Sequence, residues 1–162
     1  MNPGKLFEQD FQNSVPHYVY LYRLKDCPGW VSACHCPGGA SPRFMPSNDY
    51  DFAMFWDGKF WAMELKSTKG VSFRFDCLRS NQRSGLLSAN LIHGVTAGLL
   101  LNFRKDEETW WMSIKDWARI EQHSAKKSIN INEVRQMGVQ MEGWRKVTRY
   151  YWDVDNWMRN WE

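Results

Sequence analysis

Apolar side chains at the start of the chain recur at helical spacing: Phe7, Phe11 and Val15 stand four residues apart, and such residues share one face of a helix. Asn2 suits the N-cap and Pro3 the first helical position, so a helix is predicted from there to Ser14, ahead of Pro16. The period then changes to two. His17 to Leu24 reads as a strand, with Val19 and Leu21 alternating against Tyr18, Tyr20 and Tyr22. Periodicity vanishes from Asp26 to Asn48, a long excursion rich in Pro, Gly, Ser and Cys.

A hairpin follows. Asp57-Gly58 is a two-residue turn signal, which sets Trp56 opposite Lys59 and Asp51 opposite Glu64. Phe52, Met54 and Trp56 fall on one face and Asp51, Ala53 and Phe55 on the other; both are largely apolar, so the sheet is expected to be covered on two sides. A three-residue turn would shift the register and part Asp51 from Glu64. Leu78 to Ile92 is helical in pattern and closes at Gly94, with Leu78, Gln82, Leu86 and Ala89 on one face. Val95 to Phe103 is a strong buried strand, and Thr109 to Ser113 is another after the turn at Lys105 to Glu108. Weaker signals give a helix at Ile114 to His123, an extended segment at Lys126 to Ile131, a helical turn at Asn132 to Met137, and a strand at Arg149 to Asp153. A terminal helix from Asp155 carries Trp157 and Trp161. The whole is an α/β fold, a mixed β-sheet flanked by helices, in one domain over 1–162 with an insertion at 26–48 and a Trp-rich tail at 142–162.

Composition narrows the function. With 43% hydrophobic residues the chain is ordered and globular, and its 10 tryptophans exceed what the core needs, leaving about half for a partner surface. No apolar run follows the first residues and none reaches a membrane span, so the expectation is a cytoplasmic protein with no membrane partner. Cys27, Cys34, Cys36 and Cys77 are then reduced thiols; the spacing of Cys27, Cys34, His35 and Cys36 matches no paired zinc ribbon or finger. A net charge of +3 permits nucleic-acid binding without establishing it. Locally the bias is stronger: Lys66, Lys69, Arg74, Arg79 and Arg83 face only Asp76 between Lys66 and Arg83, either as a DNA-backbone track or as a solvated helix face.

The chemistry lies in the hairpin. Asp51 and Glu64 would have Cβ atoms roughly 5 Å apart, where like charges repel unless a cation lies between them. Lys66 shares their face, being two residues beyond Glu64. An acid opposite an acid-x-lysine is the layout of a metal-dependent phosphodiesterase. Mg²⁺, with Mn²⁺ as the alternative, takes hard oxygen ligands and needs only one or two carboxylates. Gln82, polar within an apolar stripe, either bonds the sheet backbone or reaches this site; Glu8 stands at the margin of the first helix's inward face. No phosphate-cradling Gly-rich loop, catalytic triad motif or dinucleotide fingerprint is present, which argues against a small-molecule enzyme.

The stretches Gly4-Lys5-Leu6-Phe7-Glu8, Tyr50-Asp51-Phe52, Glu64 to Phe73 and Asn81-Gln82 together resemble the PD-(D/E)XK nuclease superfamily, and more closely its RecU family of Holliday-junction resolvases, over Gly4 to about Arg104. The resemblance implies a restriction-endonuclease-like core. It makes Asp51 and Glu64 the metal ligands with the backbone carbonyl of Leu65, Lys66 the catalytic lysine, and Glu8 and Gln82 the rest of the active-site shell. Thr68 and Lys69 become phosphate contacts. Two departures stand out: no Pro precedes Asp51, and the stalk that projects in RecU proteins corresponds here to the compact, Gly-rich, cysteine-containing segment 26–48, which is expected to set substrate shape. The leading expectation is a homodimeric resolvase making paired nicks in a four-way junction. Its rivals are a related nuclease acting on flaps, forks or duplex DNA, and a non-catalytic DNA-binding recombination accessory protein.

Overall fold

The structure, a computed structural model, describes residues 2–24 and 48–160. The insertion up to residue 47, with Cys27, Cys34, His35 and Cys36, lies outside the described residues, as does Trp161.

Helix α1 (Pro3–Ser14) begins as its sequence dictates: the Asn2 side chain accepts from the Gly4 amide at 3.0 Å, satisfying one of the free N–H groups of the first turn. Strand β1 (Tyr20–Arg23) starts three residues later than expected, because the Val19 amide bonds the Pro16 carbonyl and closes a turn first. Strands β2 (Phe52–Trp56) and β3 (Lys59–Thr68) pair in the predicted register, with Trp56 opposite Lys59 and Phe52 opposite Met63. Asp57 and Gly58 both have positive φ, 48° and 75°, as a type I′ turn requires.

After β3 come β4 (Ser72–Arg74), a short 3-10 turn at Phe75–Cys77 and α2 (Ser80–Ala89). The helix is shorter than the periodicity predicts at both ends. Leu78 is extended, with ψ 113°, and Leu91, 85% exposed, has no apolar face to continue on before Gly94 turns the chain at φ 83°. Strand β5 (Val95–Phe103) has its predicted bounds, β6 (Glu108–Ser113) begins one residue early, and α3 (Ile114–His123) has its predicted bounds. Strand β7 (Ser128–Asn130) leads into α4 (Ile131–Met137), capped by Asn130. The remaining elements are β8 (Val139–Gln140), β9 (Gly143–Lys146), β10 (Arg149–Trp152) and α5 (Val154–Arg159).

Six strands form one sheet in the order β1-β2-β3-β5-β6-β8, in which only β3 and β5 run parallel. It is the mixed, helix-flanked sheet of an α/β fold. One face buries Phe52, Met54, Trp61 and Met63 under α1 and the C-terminal Trp152 and Trp157. The other buries Ala62, Leu99, Leu101 and Phe103 against Leu86 of α2 and Trp117 of α3. Two-sided cover therefore holds at the centre but not at the β1–β2 edge: α2 packs on β3 and β5, leaving Phe55 46% exposed beside Tyr20 and Tyr22. Among the described residues, five tryptophans (Trp61, Trp111, Trp117, Trp152 and Trp157) are core. Among the described residues, no helix is long and apolar enough to cross a membrane.

Candidate active site

Strand β2 begins at Phe52, and one residue before it the Asp51 amide donates to the Met63 carbonyl at 3.0 Å, where the expected register would have set Asp51 opposite Glu64. Beyond that point β3 runs on without a strand partner on this side among the described residues. The Asp51 side chain takes over, its Oδ2 accepting from the Leu65 amide at 3.0 Å. A carboxylate thus occupies the place where the next ladder hydrogen bond would lie, and it is fixed beside Glu64 on the neighbouring strand.

Glu64 is 1% exposed, between the buried Met63 and Leu65 of β3, and such a carboxylate must be paired or used. Its Oε1 accepts from Gln82 Nε2 at 2.5 Å and lies 2.8 Å from Lys66 Nζ. Its Oε2 is buried and has no hydrogen-bond partner among the described residues. Burial foremost, and the Asp51 charge second, push the Glu64 carboxyl up to about 7, against the opposing pull of Lys66. The Asp51 carboxyl is also raised, again by burial first, with the Leu65 amide working the other way and the Glu8 charge adding to the rise.

Gln82 projects from the first turn of α2 with its two amide atoms divided between structure and site. Its Oε1 accepts from the Arg79 amide at 3.1 Å and lies 3.5 Å from Lys66 Nζ, while its Nε2 holds Glu64. It therefore reaches the site and does not bond the sheet backbone there. Glu8 is anchored to β1: Arg23 donates to its Oε2 from Nε at 3.0 Å and from the terminal nitrogen at 2.7 Å. Asp51, Glu64, Lys66 and Gln82 make one connected cluster, and Glu8 lies near enough to act on Asp51 electrostatically.

Of the predicted phosphate contacts, Thr68 Oγ1 accepts from the Gly70 amide and Lys69 is exposed. The arginines differ in a way that residue spacing did not reveal. Arg74 makes a two-point contact with Asp76, and Arg83 pairs with Glu121 of α3, whereas Arg79 is exposed with no carboxylate at ion-pair distance among the described residues.

Two residues that support the site had no role assigned to them from the sequence. Asn81 Nδ2 donates to the Asn48 carbonyl at 2.9 Å, and a Cβ built on Gly85 would stand 2.6 Å from the Asp49 Cγ and closer still to its Cβ. The chain leading into Asp51 is therefore seated directly on the α2 backbone. Only a helix residue without a side chain permits that approach.

A divalent cation fits this donor set. The orphaned Glu64 Oε2 is a buried anionic oxygen without a partner, and the raised carboxyls are those of two hard-oxygen donors that repel one another without a cation. Among the described residues no three His, Cys, Asp or Glu side chains converge, so the protein offers two carboxylates and leaves the other positions to water, phosphate or backbone.

The family model RecU, described as recombination protein U, matches residues 41–155. The SPbeta prophage-derived uncharacterized protein YotM of Bacillus subtilis (strain 168) is 26% identical over 165 residues, covering 92% of this chain and 81% of that protein. The solved structure of Hjc from Archaeoglobus fulgidus, titled a Holliday junction resolvase, superposes with a TM-score of 0.48 at 13% identity, covering 84% of this chain and 87% of Hjc.

Proposed function

The chain belongs to the RecU family, a family of Holliday-junction resolvases, and from that membership we propose a divalent-metal-dependent endonuclease that resolves four-way DNA junctions by paired nicks. The observation that carries the metal dependence is the partnerless, buried Glu64 Oε2 beside Asp51. Asp51 and Glu64, with the Leu65 carbonyl, would hold the ion, Mg²⁺ or Mn²⁺. When bound, such an ion supplies charge stabilisation at the scissile phosphate and acidifies water.

The chain's own residues do the rest. Gln82 holds Glu64 by Oε1, which would leave Oε2 for the cation, and the Leu65 amide fixes Asp51. Lys66 Nζ, 2.8 Å from Glu64 Oε1, would donate to the attacking water or to a phosphate oxygen that gains charge during in-line attack. The Glu64 carboxyl, raised to about 7, would hold the cation in its ionised form. Glu8 completes the acidic side of the site, tied down by Arg23.

A homodimer suits the substrate, because a two-fold symmetric pair of sites meets two equivalent strands of a junction. The enzyme would work in the cytoplasm, on recombining DNA. The test is cleavage of a mobile four-way junction, with and without Mg²⁺, beside flaps, forks and linear duplex. Paired nicks confined to the junction and dependent on the cation support the reading. Equal cutting of every substrate would transfer the enzyme to a broader nuclease role, and no cutting with any divalent ion would leave only an accessory DNA-binding function.

A further inference from the structure

A groove of about 530 Å³ opens beside the start of α2, lined by Arg74, Arg79, Ser80, Arg83, Lys126 and Lys127 among others. It is assembled from distant parts of the chain. β4 pairs with β7, placing Arg74 opposite Ser128, and the Phe75 amide bonds the Lys127 carbonyl at 3.0 Å. Two lysines from far beyond the hairpin are thereby brought beside the arginines that follow it.

The charges in this groove are not equivalent. Arg74 is committed to Asp76, and Arg83 to Glu121. Lys126 lies 3.6 Å from Glu133, a single contact, longer than the two hydrogen bonds by which Arg74 holds Asp76. Lys127 and Arg79 have no carboxylate at ion-pair distance among the described residues; Lys127 acts at longer range on Asp76, which is already held by Arg74. The cations left over for an anion are therefore Arg79, Lys126 and Lys127.

The groove also adjoins the chemistry. The Arg79 amide donates to Gln82 Oε1, and Gln82 Nε2 donates to Glu64, so one side chain separates the groove from the carboxylates. We propose that this groove is a DNA-backbone site, in which Arg79, Lys126 and Lys127 grip the phosphates of the strand leaving the active site, while Arg74 and Arg83 shape its wall through their carboxylate partners. The assignment rests on the nuclease reading above and adds the path of the bound strand. A backbone contact of this kind carries no sequence information and fixes the register of the strand over the carboxylates.

The test is binding of a four-way junction by fluorescence anisotropy across a salt series, in the Asp51→Asn background with Mg²⁺ so that cleavage does not intervene. Lys126→Ala/Lys127→Ala should lower affinity about equally for junctions of any sequence and reduce the salt slope by about two, roughly one for each phosphate no longer neutralised. Arg79→Ala should remove about one more. Lys115→Ala, an exposed cation at the start of α3 outside the groove, should change neither quantity. Thermal melting of the variants should match the parent, because both lysines are exposed. Parental affinity and slope in the double-lysine variant would overturn the groove assignment. If cleavage of the junction by the otherwise unmodified chain persists alongside that result, the nuclease reading stands without it; a chain that cleaves no junction fails at the earlier step.

Discussion

The Leu65 amide donates to Asp51 Oδ2 at 3.0 Å, so the candidate ligand from one strand is held by the backbone of the next, one residue from Glu64. Asp51→Asn retains an oxygen that can accept this hydrogen bond but removes a charge from the cation site. Nicking should fall by at least about 100-fold, the scale of losing one electrostatic contributor to a transition state, with junction affinity retained. Wild-type-like nicking in Mg²⁺ would remove Asp51 from the site.

Glu64 gives a pH signature. Its carboxyl stands at about 7 in the folded protein against an ordinary 4.5, so the folded state binds the proton more tightly than the unfolded state. That stabilisation is fully present below about 4.5 and is lost as pH rises through 7, a swing of about 3 kcal/mol. In a chelator, Glu64→Gln should therefore melt higher than the parent at pH 8, and the gain should shrink towards pH 5. Added Mn²⁺ should stabilise the parent and not the variant, with cation affinity in the parent weakening as pH falls below 7. Calorimetry at two pH values, with and without Mn²⁺, checks both; parallel curves for the two proteins would contradict the buried ionised carboxylate.

Gly85→Ala probes how Asp51 is seated. The new methyl would meet Asp49 Cγ at 2.6 Å and its Cβ more closely still, and the chain two residues before the ligand must give way. Overpacking of this kind costs about 1–3 kcal/mol. Cation affinity and nicking should fall together, by about tenfold or more, while DNA binding through the basic surface persists. Asn81→Ala, which frees the Asn48 carbonyl, should shift cation affinity in the same direction and by less. Unchanged cation affinity in both would show that Asp51 is placed by the hairpin alone.

Cys77 is expected to be chemically quiet. Burial pushes its thiol up to about 11, so little thiolate exists at pH 8. Peptide mapping after brief alkylation should find Cys77 unmodified in the folded protein and modified in denaturant. Rapid labelling of the folded chain would mean that the loop between β4 and α2 opens.

The hairpin was legible because its register depends on two adjacent residues: Asp57 and Gly58 both take positive φ, and every pair down to Phe52 opposite Met63 follows. Helix α1 was equally legible, since its cap and its proline are local signals. The role of Gln82 was not, because periodicity places it on the buried face of a helix without saying how that helix is rotated over the sheet. The pairing of Arg83 with Glu121, 38 positions away, and the meeting of β4 with β7 depend on tertiary packing that no window of sequence contains. Strands β8 and β9 escaped notice because they are short and largely exposed, and the turn joining β9 to β10 uses Val147 at φ 49°, a residue that carries no turn signal.

Helix α1 is completed by residues made long after it. Phe7 packs edge-on against Trp152 at 5.1 Å, Asp10 Oδ1 accepts from Arg149 across 139 positions, and Ser14 Oγ accepts from the Trp152 amide. Contacts so remote in sequence close late in folding. During synthesis, then, α1 gains the last of its packing only when β10 has emerged from the ribosome. A nascent chain can carry Asp51, Glu64 and Lys66 in a finished hairpin while the helix that bears Glu8 still waits for Arg149 and Trp152.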